Sequence, residues 1–378
     1  MANDPIFTEL ENITLKEVYP RVVEDSFFRD TPRLAYMRDH CLAEFRGGAF
    51  MQFSFRYAPM IGGAYAPGAT FNITQQQTLA AAIFLPKYYE VNVTEYKEEI
   101  QVLNKGELAV FKRIDEDLTN AIQTLNAIVA IDLYNHGQAA GSGITGNRPN
   151  NINGDIEIVA DGLNPSWDGS VMTAYGTQPR NGTVGIALNS TPRWCGDSAG
   201  NTGPITYPLL EEAYQDATQG RDEPNLGVTS KAGIAFIKER IQPQQRFAQE
   251  KDPIWGVTGF RMNSAMILRD DYIPSAIYGV NDPNLGNYLT STFTVPSTVT
   301  SASGLPVATT VCTVGELFWW YNTKKYLLRV SDDPEYGFGF SGFVPAQDNT
   351  RVAGQVKAGI NVYCTAPRLQ KLLYGIGS

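Results

Sequence analysis

The stretch that decides the fold is Gly106–Gly137, GELAVFKRIDEDLTNAIQTLNAIVAIDLYNHG. Its apolar residues recur every three or four positions, which predicts one apolar stripe along an α-helix. The stripe consists of Leu108, Phe111, Ile114, Leu118, Ala121, Ile122, Leu125, Ile128, Val129 and Leu133. Gly137 stands where a left-handed C-cap is expected, and His136 falls in the last turn. About thirty residues at ~1.5 Å each give a rod of roughly 45 Å, which we name the spine helix.

Two common classes of long helix do not fit this stretch. The face opposite the stripe carries Lys112, Arg113, Asp115 and Glu116, so the helix cannot cross a bilayer. Heptads do not continue on either side, which argues against a coiled coil. A single long helix with one apolar side must therefore lie across a sheet or across other helices.

Composition indicates a mixed α and β protein with a real core. The chain has 378 residues, of which 43% are hydrophobic, 18% are charged and 35 are glycine. The net charge of -9 argues against a surface that coats nucleic acid. No apolar run of about twenty residues occurs, and the first residues lack the pattern of a signal peptide. We therefore expect a soluble protein made in a cytoplasm.

The N-terminal part predicts an arm followed by a long two-stranded excursion. Residues 1–48 are charged and partly helical, with a helix starting near Pro32 and an end at Gly47-Gly48. Residues 49–58 alternate apolar and polar side chains, as a strand with one apolar side does, and extended chain returns through residues 84–93. A loop of this length has little core of its own, so it needs a partner surface such as another copy of the chain.

The remaining segments predict a short helix before the spine helix and a second compact region after it. The short helix runs from Tyr96 to Asn104. The later predictions are helices at residues 207–219 and 231–241, strands at 224–230, 259–268 and 317–321, further strands at residues 326–330 and 356–362, and a short tail that finishes close to the core. Residues 289–310 are rich in Ser and Thr, which suits an exposed β excursion or surface loop, with a linker as the alternative.

The sequence carries no recognisable catalytic, cofactor or metal motif, so we expect a protein that is not an enzyme. Gly141-Ser-Gly-Ile-Thr-Gly146 has the G-x-G-x-x-G spacing, but it follows a helix and precedes none, so we interpret it as a glycine joint. The adjacent His40-Cys41 is more typical of packing than of catalysis. All four cysteines, Cys41, Cys195, Cys312 and Cys364, are expected to be buried free thiols.

The order of these parts resembles the major capsid proteins of tailed bacteriophages, which have the Hong Kong 97-type fold. Three local patterns carry the resemblance. Ala174-Tyr175-Gly176 to Arg180, followed by Trp194, is similar to the family's tyrosine-glycine, arginine and tryptophan passage. Pro224 to Ser230 looks like its strand before a helix, and Gly259-Phe260 to Asp270 with Pro274 looks like its strand ending in an Asp and Pro turn.

The resemblance implies an α+β capsid fold with four parts. Residues 1–48 would be the N-terminal arm, and residues 49–93 the extended β loop that lies over an adjacent subunit. Residues 94–140 and 317–345 would form the peripheral domain with the spine helix. Residues 141–316 and 346–378 would form the axial domain.

The implied function is assembly of an icosahedral head shell around double-stranded DNA. Partners would be many copies of the chain, in hexamers and pentamers, together with portal and scaffolding proteins; decoration proteins are left open. The chain would reside in the virion capsid after assembly in the host cytoplasm, with no membrane partner. Contacts between copies are expected at Met51, Phe53, Phe55, Tyr57, Tyr65, Phe84, Tyr89 and Phe111, with the core of its own subunit as an equal alternative for the first four.

Two features depart from the best-known branch of the family. No lysine lies between Met51 and Pro86, and Lys87 stands at the base of the loop, so a lysine–asparagine crosslink is not supported. No long helical segment precedes the arm, so we expect a separate scaffolding protein. The acidic net charge is compatible with a DNA container, because a packaged genome is held by enclosure.

Three other functions compete with this interpretation. An encapsulin-type compartment shares the fold but encloses enzymes. A β-rich extracellular adhesin would suit residues 289–310 but not the spine helix. A hydrolase that uses Asp270 or Asp271 would need a cleft beside those carboxylates.

Overall fold

The computed structural model places most of the residues that it describes in helices and strands, the majority of the strands in two large sheets. It describes residues 31–56, 60, 62–71, 73–75, 78–96, 113–139, 141, 143–144, 147–162, 166–180, 187–188, 191–192, 194–199, 203–241, 249–251, 258–274, 316–345 and 351–377. The predicted short helix between Tyr96 and Asn104 lies outside these residues, except that Tyr96 itself ends a strand. The Ser/Thr-rich residues 289–310 and Cys312 also lie outside them.

The helices are α1 (Pro32–His40), α2 (Arg113–Asp132), α3 (Asp155–Val159), α4 (Tyr207–Asp216) and α5 (Lys231–Ile241). The strands are β1 (Leu42–Phe45), β2 (Met51–Arg56), β3 (Leu79–Phe84), β4 (Lys87–Tyr96), β5 (Ala174–Tyr175), β6 (Gln178–Pro179), β7 (Ala187–Leu188), β8 (Thr191–Pro192), β9 (Asp197–Ala199), β10 (Gly203–Pro204), β11 (Leu226–Thr229), β12 (Gln249–Lys251), β13 (Thr258–Met262), β14 (Ala265–Arg269), β15 (Glu316–Tyr321), β16 (Tyr326–Ser331), β17 (Gly337–Phe340), β18 (Val344–Pro345), β19 (Arg351–Cys364) and β20 (Lys371–Gly377). Within this described part, no helix is both long and apolar enough to cross a membrane.

Sheet I has six strands and is built around the long strand β19. One edge of β19 pairs with β4, and the other pairs in turn with β18, β17 and β16. Strand β1 adds to β16 in parallel, and α2 packs against β4 and β19. Residues 42–45, shortly before the loop, are therefore part of sheet I in their own chain.

Sheet II has eight strands, and β15 lies at its centre between β20 and β11. All six residues of β15 are buried, because both faces of the sheet are covered. Phe318 and Trp320 face the cluster that α4 and α5 complete, whereas Leu317, Trp319 and Tyr321 face the main core. The dense aromatic run in the sequence is therefore a strand with two apolar faces.

The spine helix is observed as α2 and is shorter at its C-terminal end than predicted. It ends at Asp132, and the part before Arg113, which includes Phe111, lies outside the described residues. The apolar stripe is confirmed at Ala121, Leu125 and Val129, but Ile122 is 42% exposed and does not belong to it. Beyond Ala127 the helix is buried on every side.

The end of α2 is closed by another backbone segment rather than by a glycine C-cap. The carbonyls of Leu133 and Asn135 accept from the amides of Asp155 and Ile156 at 2.8 and 3.3 Å. A Cβ on Gly154 would lie 2.5–2.7 Å from three carbonyl oxygens of this end, so only glycine permits the approach. Gly137 does not have the predicted left-handed backbone. Carbonyls at a helix end need partners, and the start of α3 supplies those of Leu133 and Asn135, just beyond the last residue of α2.

The strand pairing corrects one strand prediction and shows which sheet the other strands join. Residues 259–268 form a hairpin, β13 and β14, because Asn263 adopts a left-handed backbone with φ 54° and turns the chain. Strand β15, which we grouped with the spine helix, lies in sheet II, whereas β19, which we placed in the other domain, is the centre of sheet I. The C-terminal tail, predicted to finish near the core, is itself an inner strand, β20, of sheet II.

A buried ion pair joins α1, α3 and both sheets. The two terminal nitrogens of Arg33 lie 2.6 and 2.7 Å from the carboxylate oxygens of Asp155, and both side chains are almost fully buried. Tyr321 of sheet II and Tyr326 of sheet I donate to the same carboxylate at 2.6 and 2.5 Å. The Arg33 guanidinium also stacks over the rings of Tyr134 and Tyr321. We name these five residues the junction.

Electrostatics keeps the Arg33 side chain of the junction charged. Burial alone would lower the pKa of Arg33, but the adjacent Asp155 holds it well above its ordinary value. Burial raises the pKa of Tyr321 and Tyr326, so both phenols stay protonated and can donate. The carboxylate thus receives an ion pair and two hydrogen bonds, which is what a charge inside a core requires.

Asp155→Ala should destabilise the folded chain by about 3–5 kcal/mol, because it leaves the buried Arg33 cation without a partner. The free energy of unfolding in urea, followed by tryptophan fluorescence, measures this loss. Arg46→Ala is the matched control, since it breaks the largely exposed pair with Glu44. Equal stability losses in the two variants would contradict the assigned role of the junction.

Candidate assembly surfaces

Strands β2 and β3 form the base of the excursion predicted from the sequence. They pair antiparallel with Met51 opposite Phe84 and Arg56 opposite Leu79. The alternation of β2 is confirmed, because Met51, Phe53 and Phe55 turn inward while the residues between them are exposed. The hairpin is a separate two-stranded sheet and does not continue either large sheet.

The inward face of this hairpin rests on aromatic rings of its own chain. Phe55 stacks flat on Trp194 with the ring centroids 3.8 Å apart, and Phe53 stacks on Tyr363 at 5.2 Å. Phe84 stacks on Tyr363 as well. Stacked aromatic pairs of this kind add roughly 0.5–1.5 kcal/mol each beyond the area they bury. We name Trp194 and Tyr363, with Tyr175 beside them, the aromatic seat.

The motif from Ala174 to Arg180, followed by Trp194, builds this seat. Trp194 donates its indole N–H to the carbonyl of Tyr175 at 2.9 Å, and the Tyr175 hydroxyl accepts from the amide of Cys364 at 2.8 Å. Arg180 is fully buried, donates to the carbonyl of Ala160 and stacks over Tyr175. Burial lowers the pKa of Arg180 to about 10. The motif that is similar to the capsid family therefore has a structural role, because it supports the hairpin at the base of the loop.

Beyond the hairpin the loop exposes large apolar side chains. Exposed fractions are 69% for Tyr65, 62% for Phe71 and 93% for Ile73, and Met60 is exposed too. Tyr65 and Phe71 meet edge to face with centroids 5.0 Å apart. Residues 57–86 contain no charged residue. We name the described residues between 60 and 75 the loop tip. An exposed apolar patch of this kind typically marks an interaction site.

The predicted contact residues divide into four groups. Met51, Phe84 and Tyr89 are buried in their own subunit. Phe53 and Phe55 are partly buried and contact the aromatic seat. In the single chain they therefore pack against the core of their own subunit, which was the alternative to a contact between copies. Tyr65 is exposed and available to a neighbour; Tyr57 and Phe111 lie outside the described residues. The residues that the sequence analysis missed are Phe71 and Ile73, which neither periodicity nor a motif marks.

A cleft of about 780 Å³ opens beside the start of β4. One wall is formed by Gly47 and Gly48 after β1, and the other includes Tyr336 and Lys357 of sheet I. Tyr88 is largely exposed and lies edge-on to Tyr336, with the ring centroids 5.8 Å apart. A groove with exposed aromatic rings is a second candidate surface for contacts between copies.

The chemically suggestive residues are placed where packing explains them. His40 is exposed and stacks on Tyr36, while the Cys41 thiol is buried and donates to the carbonyl of Thr323. Burial raises the pKa of Cys41 to about 12, which disfavours the reactive thiolate. Cys41, Cys195 and Cys364 are buried thiols that form no disulfide with one another, as predicted. Among the described residues of the glycine joint, Gly141 and Ile144 close a tight turn.

Asp132 is the last residue of α2, and Asp270 bonds to Tyr134 just beyond it; both carboxyls are buried. Asp270 accepts from the Tyr134 hydroxyl at 2.8 Å and from the Tyr272 amide at 2.9 Å. Asp132 accepts from the Tyr89 hydroxyl at 2.8 Å. Burial raises the pKa of each carboxyl to about 6. Asp270 therefore anchors the core rather than facing a cleft, and Asp271 is paired with Lys231 at the surface.

Comparison with solved structures relates this arrangement to viral shells. The cyanophage A-1(L) capsid subunit matches with a TM-score of 0.59 at 11% identity, covering 95% of this chain and 96% of that one. The capsid of a native GTA particle matches with a TM-score of 0.55 at 10% identity over the whole of both chains. The chain has the Hong Kong 97-type capsid fold. The SrpI encapsulin from Synechococcus elongatus PCC 7942 shares it, with a TM-score of 0.55 at 8% identity over 100% of this chain and 96% of that one.

Sequence comparison adds nothing to this structural relation. No family model matches the chain, and no curated protein matches it in sequence. The fold prediction, α+β with a Hong Kong 97-type architecture, is confirmed by the structural matches. The division into four parts with exact boundaries stays a prediction.

The two raised carboxyl pKa values give the fold a defined pH dependence. A carboxyl with a raised pKa stabilises the folded chain fully below its unfolded pKa near 4, and that stabilisation is lost as the pH rises through about 6. From pH 5 to pH 8, each of these two carboxyls should lower the free energy of unfolding by about 1.4 kcal/mol. The free energy of unfolding in urea should therefore fall less in Asp270→Asn than in the unchanged chain over this range. A parallel fall in both would contradict the assignment, and Asp132→Asn provides an independent repeat.

Proposed function

We propose that this chain is the shell-forming subunit of a tailed-bacteriophage head, in which many copies enclose double-stranded DNA. The proposal rests on one observation above all: a folded body of capsid architecture carries a loop whose exposed tip is apolar and uncharged. Such a tip gains free energy only when another surface covers it. Sister copies supply that surface in a shell, through interfaces that in obligate assemblies bury ~2,000 Å² or more.

The parts of the fold suggest a division of labour within the shell. Sheet I with the spine helix corresponds to the peripheral domain, and sheet II with α4 and α5 corresponds to the axial domain. The loop would reach over an adjacent subunit, and the N-terminal residues would form the arm. Hexamers and pentamers, a portal, a separate scaffolding protein and a location in the virion after assembly in the host cytoplasm are further parts of this proposal. A structural role without catalysis accords with the capsid matches.

An encapsulin-type compartment is the second candidate, because the SrpI encapsulin matches the whole chain about as well as phage capsids do. The two candidates share the shell and differ in its contents. Purified particles should be imaged by electron microscopy and then opened, and their contents treated with nuclease and with protease. We expect icosahedral shells that hold double-stranded DNA. Shells filled with enzyme would favour the compartment, and a monodisperse monomer at high concentration would refute both.

The loop tip provides a direct test of assembly. Ile73→Asp should abolish shells in electron micrographs while leaving the thermal stability of the chain unchanged, because Ile73 is 93% exposed in the single chain. It is a cleaner test than a change at Phe53 or Phe55, which would also disturb the aromatic seat. Val344→Asp is the matched control, since it places the same charge on an exposed apolar residue outside the loop. Normal shells from Ile73→Asp would contradict the role of the loop tip.

A further inference from the structure

The free edge of strand β3 is held by the short turn between β5 and β6. The amide of Ile83 donates to the carbonyl of Gly176 at 3.0 Å, and the side-chain amide of Gln178 donates to the carbonyl of Ala81 at 2.7 Å. The Ile83 amide and the Ala81 carbonyl both lie on the edge of β3 that β2 leaves unpaired. A turn from the body thus takes the position of a third strand against the hairpin.

The turn is itself tied to the body, so it can act as a fixed reference. The Tyr175 hydroxyl accepts from the amide of Cys364 in β19 at 2.8 Å, and the Tyr175 carbonyl accepts from Trp194. The amide of Arg180 donates to the carbonyl of Thr173 at 2.8 Å and closes the turn. Tyr175, Arg180 and Trp194 are buried. The hydrogen bonds to β3 therefore hold the hairpin in a fixed position relative to sheet I.

The close approach of hairpin and turn depends on glycine. Gly176 has φ 56°, and a Cβ there would lie 2.6 Å from the Phe84 ring and 2.9 Å from Ala82. Any larger residue would push β3 away from the turn. The conformation of Gly176 and the two bonds beside it thus serve the same contact.

We propose that residues 174–179 form a clamp that sets the direction in which the loop leaves the subunit, with Gln178 as the positioning residue. The aromatic seat alone lets flat rings slide over one another, since stacking is weakly directional. Two hydrogen bonds along one edge remove that freedom, because each requires the donor to point at its acceptor. The inference rests on the proposed function for its consequence, which is that the clamp fixes where the loop tip meets the next copy.

Gln178→Met tests the clamp because it keeps the length of the side chain and removes the donor. In the full-length, unassembled chain, hydrogen exchange of the β2 and β3 amides should become about fivefold faster, the change expected for loss of one ordinary hydrogen bond. Exchange in β16 and β19 should stay the same. Gln215→Met is the matched control, since Gln215 donates to Glu211 at 2.9 Å on the exposed face of α4.

The outcomes separate the clamp from general stability and from shell formation. Faster exchange confined to β2 and β3, together with shells of more varied diameter in electron micrographs, supports the clamp. Unchanged exchange in the hairpin, or an equal increase throughout sheet I, overturns it. Exchange is measured before assembly, so its result decides the clamp whether or not shells form. Failure of the unchanged chain to form shells would refute the proposed function alone. Trp194→Phe keeps a stacking ring but loses the bond to Tyr175, and it should also loosen β3.

Discussion

The arrangement of the whole body depends on the ion pair between Arg33 and Asp155. A carboxylate inside a core is tolerated only when its oxygens are fully occupied, and here the partners come from α1, sheet I and sheet II at once. Displacing any one of these elements would leave a buried charge without its match. The pair therefore makes the relative placement of the two sheets and the spine helix nearly all-or-none. A rigid body is what a subunit needs if its loop is to point in a defined direction.

Local patterns in the sequence predicted the elements whose faces are simple. The alternation of Met51, Phe53 and Phe55 gave a strand with one inward side, and Pro224–Ser230 followed by Lys231 gave strand β11 and helix α5. The predictions were weaker where a partner far along the chain decides the outcome. Arg33 and Asp155 are 122 positions apart, and nothing near either residue marks the other. The closure of the spine helix by Gly154 has the same cause, since a glycine that accommodates carbonyls from residues 132–135 looks like any loop glycine.

The sequence also did not predict which sheet each strand joins. Strands β15 and β16 are neighbours along the chain, separated by Asn322–Lys325, yet they belong to different sheets. The family resemblance implied one domain for both, because it assigned residues 317–345 as a single stretch. The capsid resemblance nevertheless predicted the architecture, because the order of elements survives at 8–11% identity to solved shells. At such low identity the fold is shared although most side chains differ.

The absence of charge from residues 57–86 has a consequence for how copies of this chain would meet. A contact made by an uncharged apolar tip has no Coulomb attraction for dissolved ions to screen, so raising the ionic strength does not weaken it. Burial of apolar surface does weaken on cooling, because apolar hydration has a large positive heat capacity and becomes enthalpically more favourable as the temperature falls. Contacts between copies through this loop would therefore depend on temperature far more than on salt.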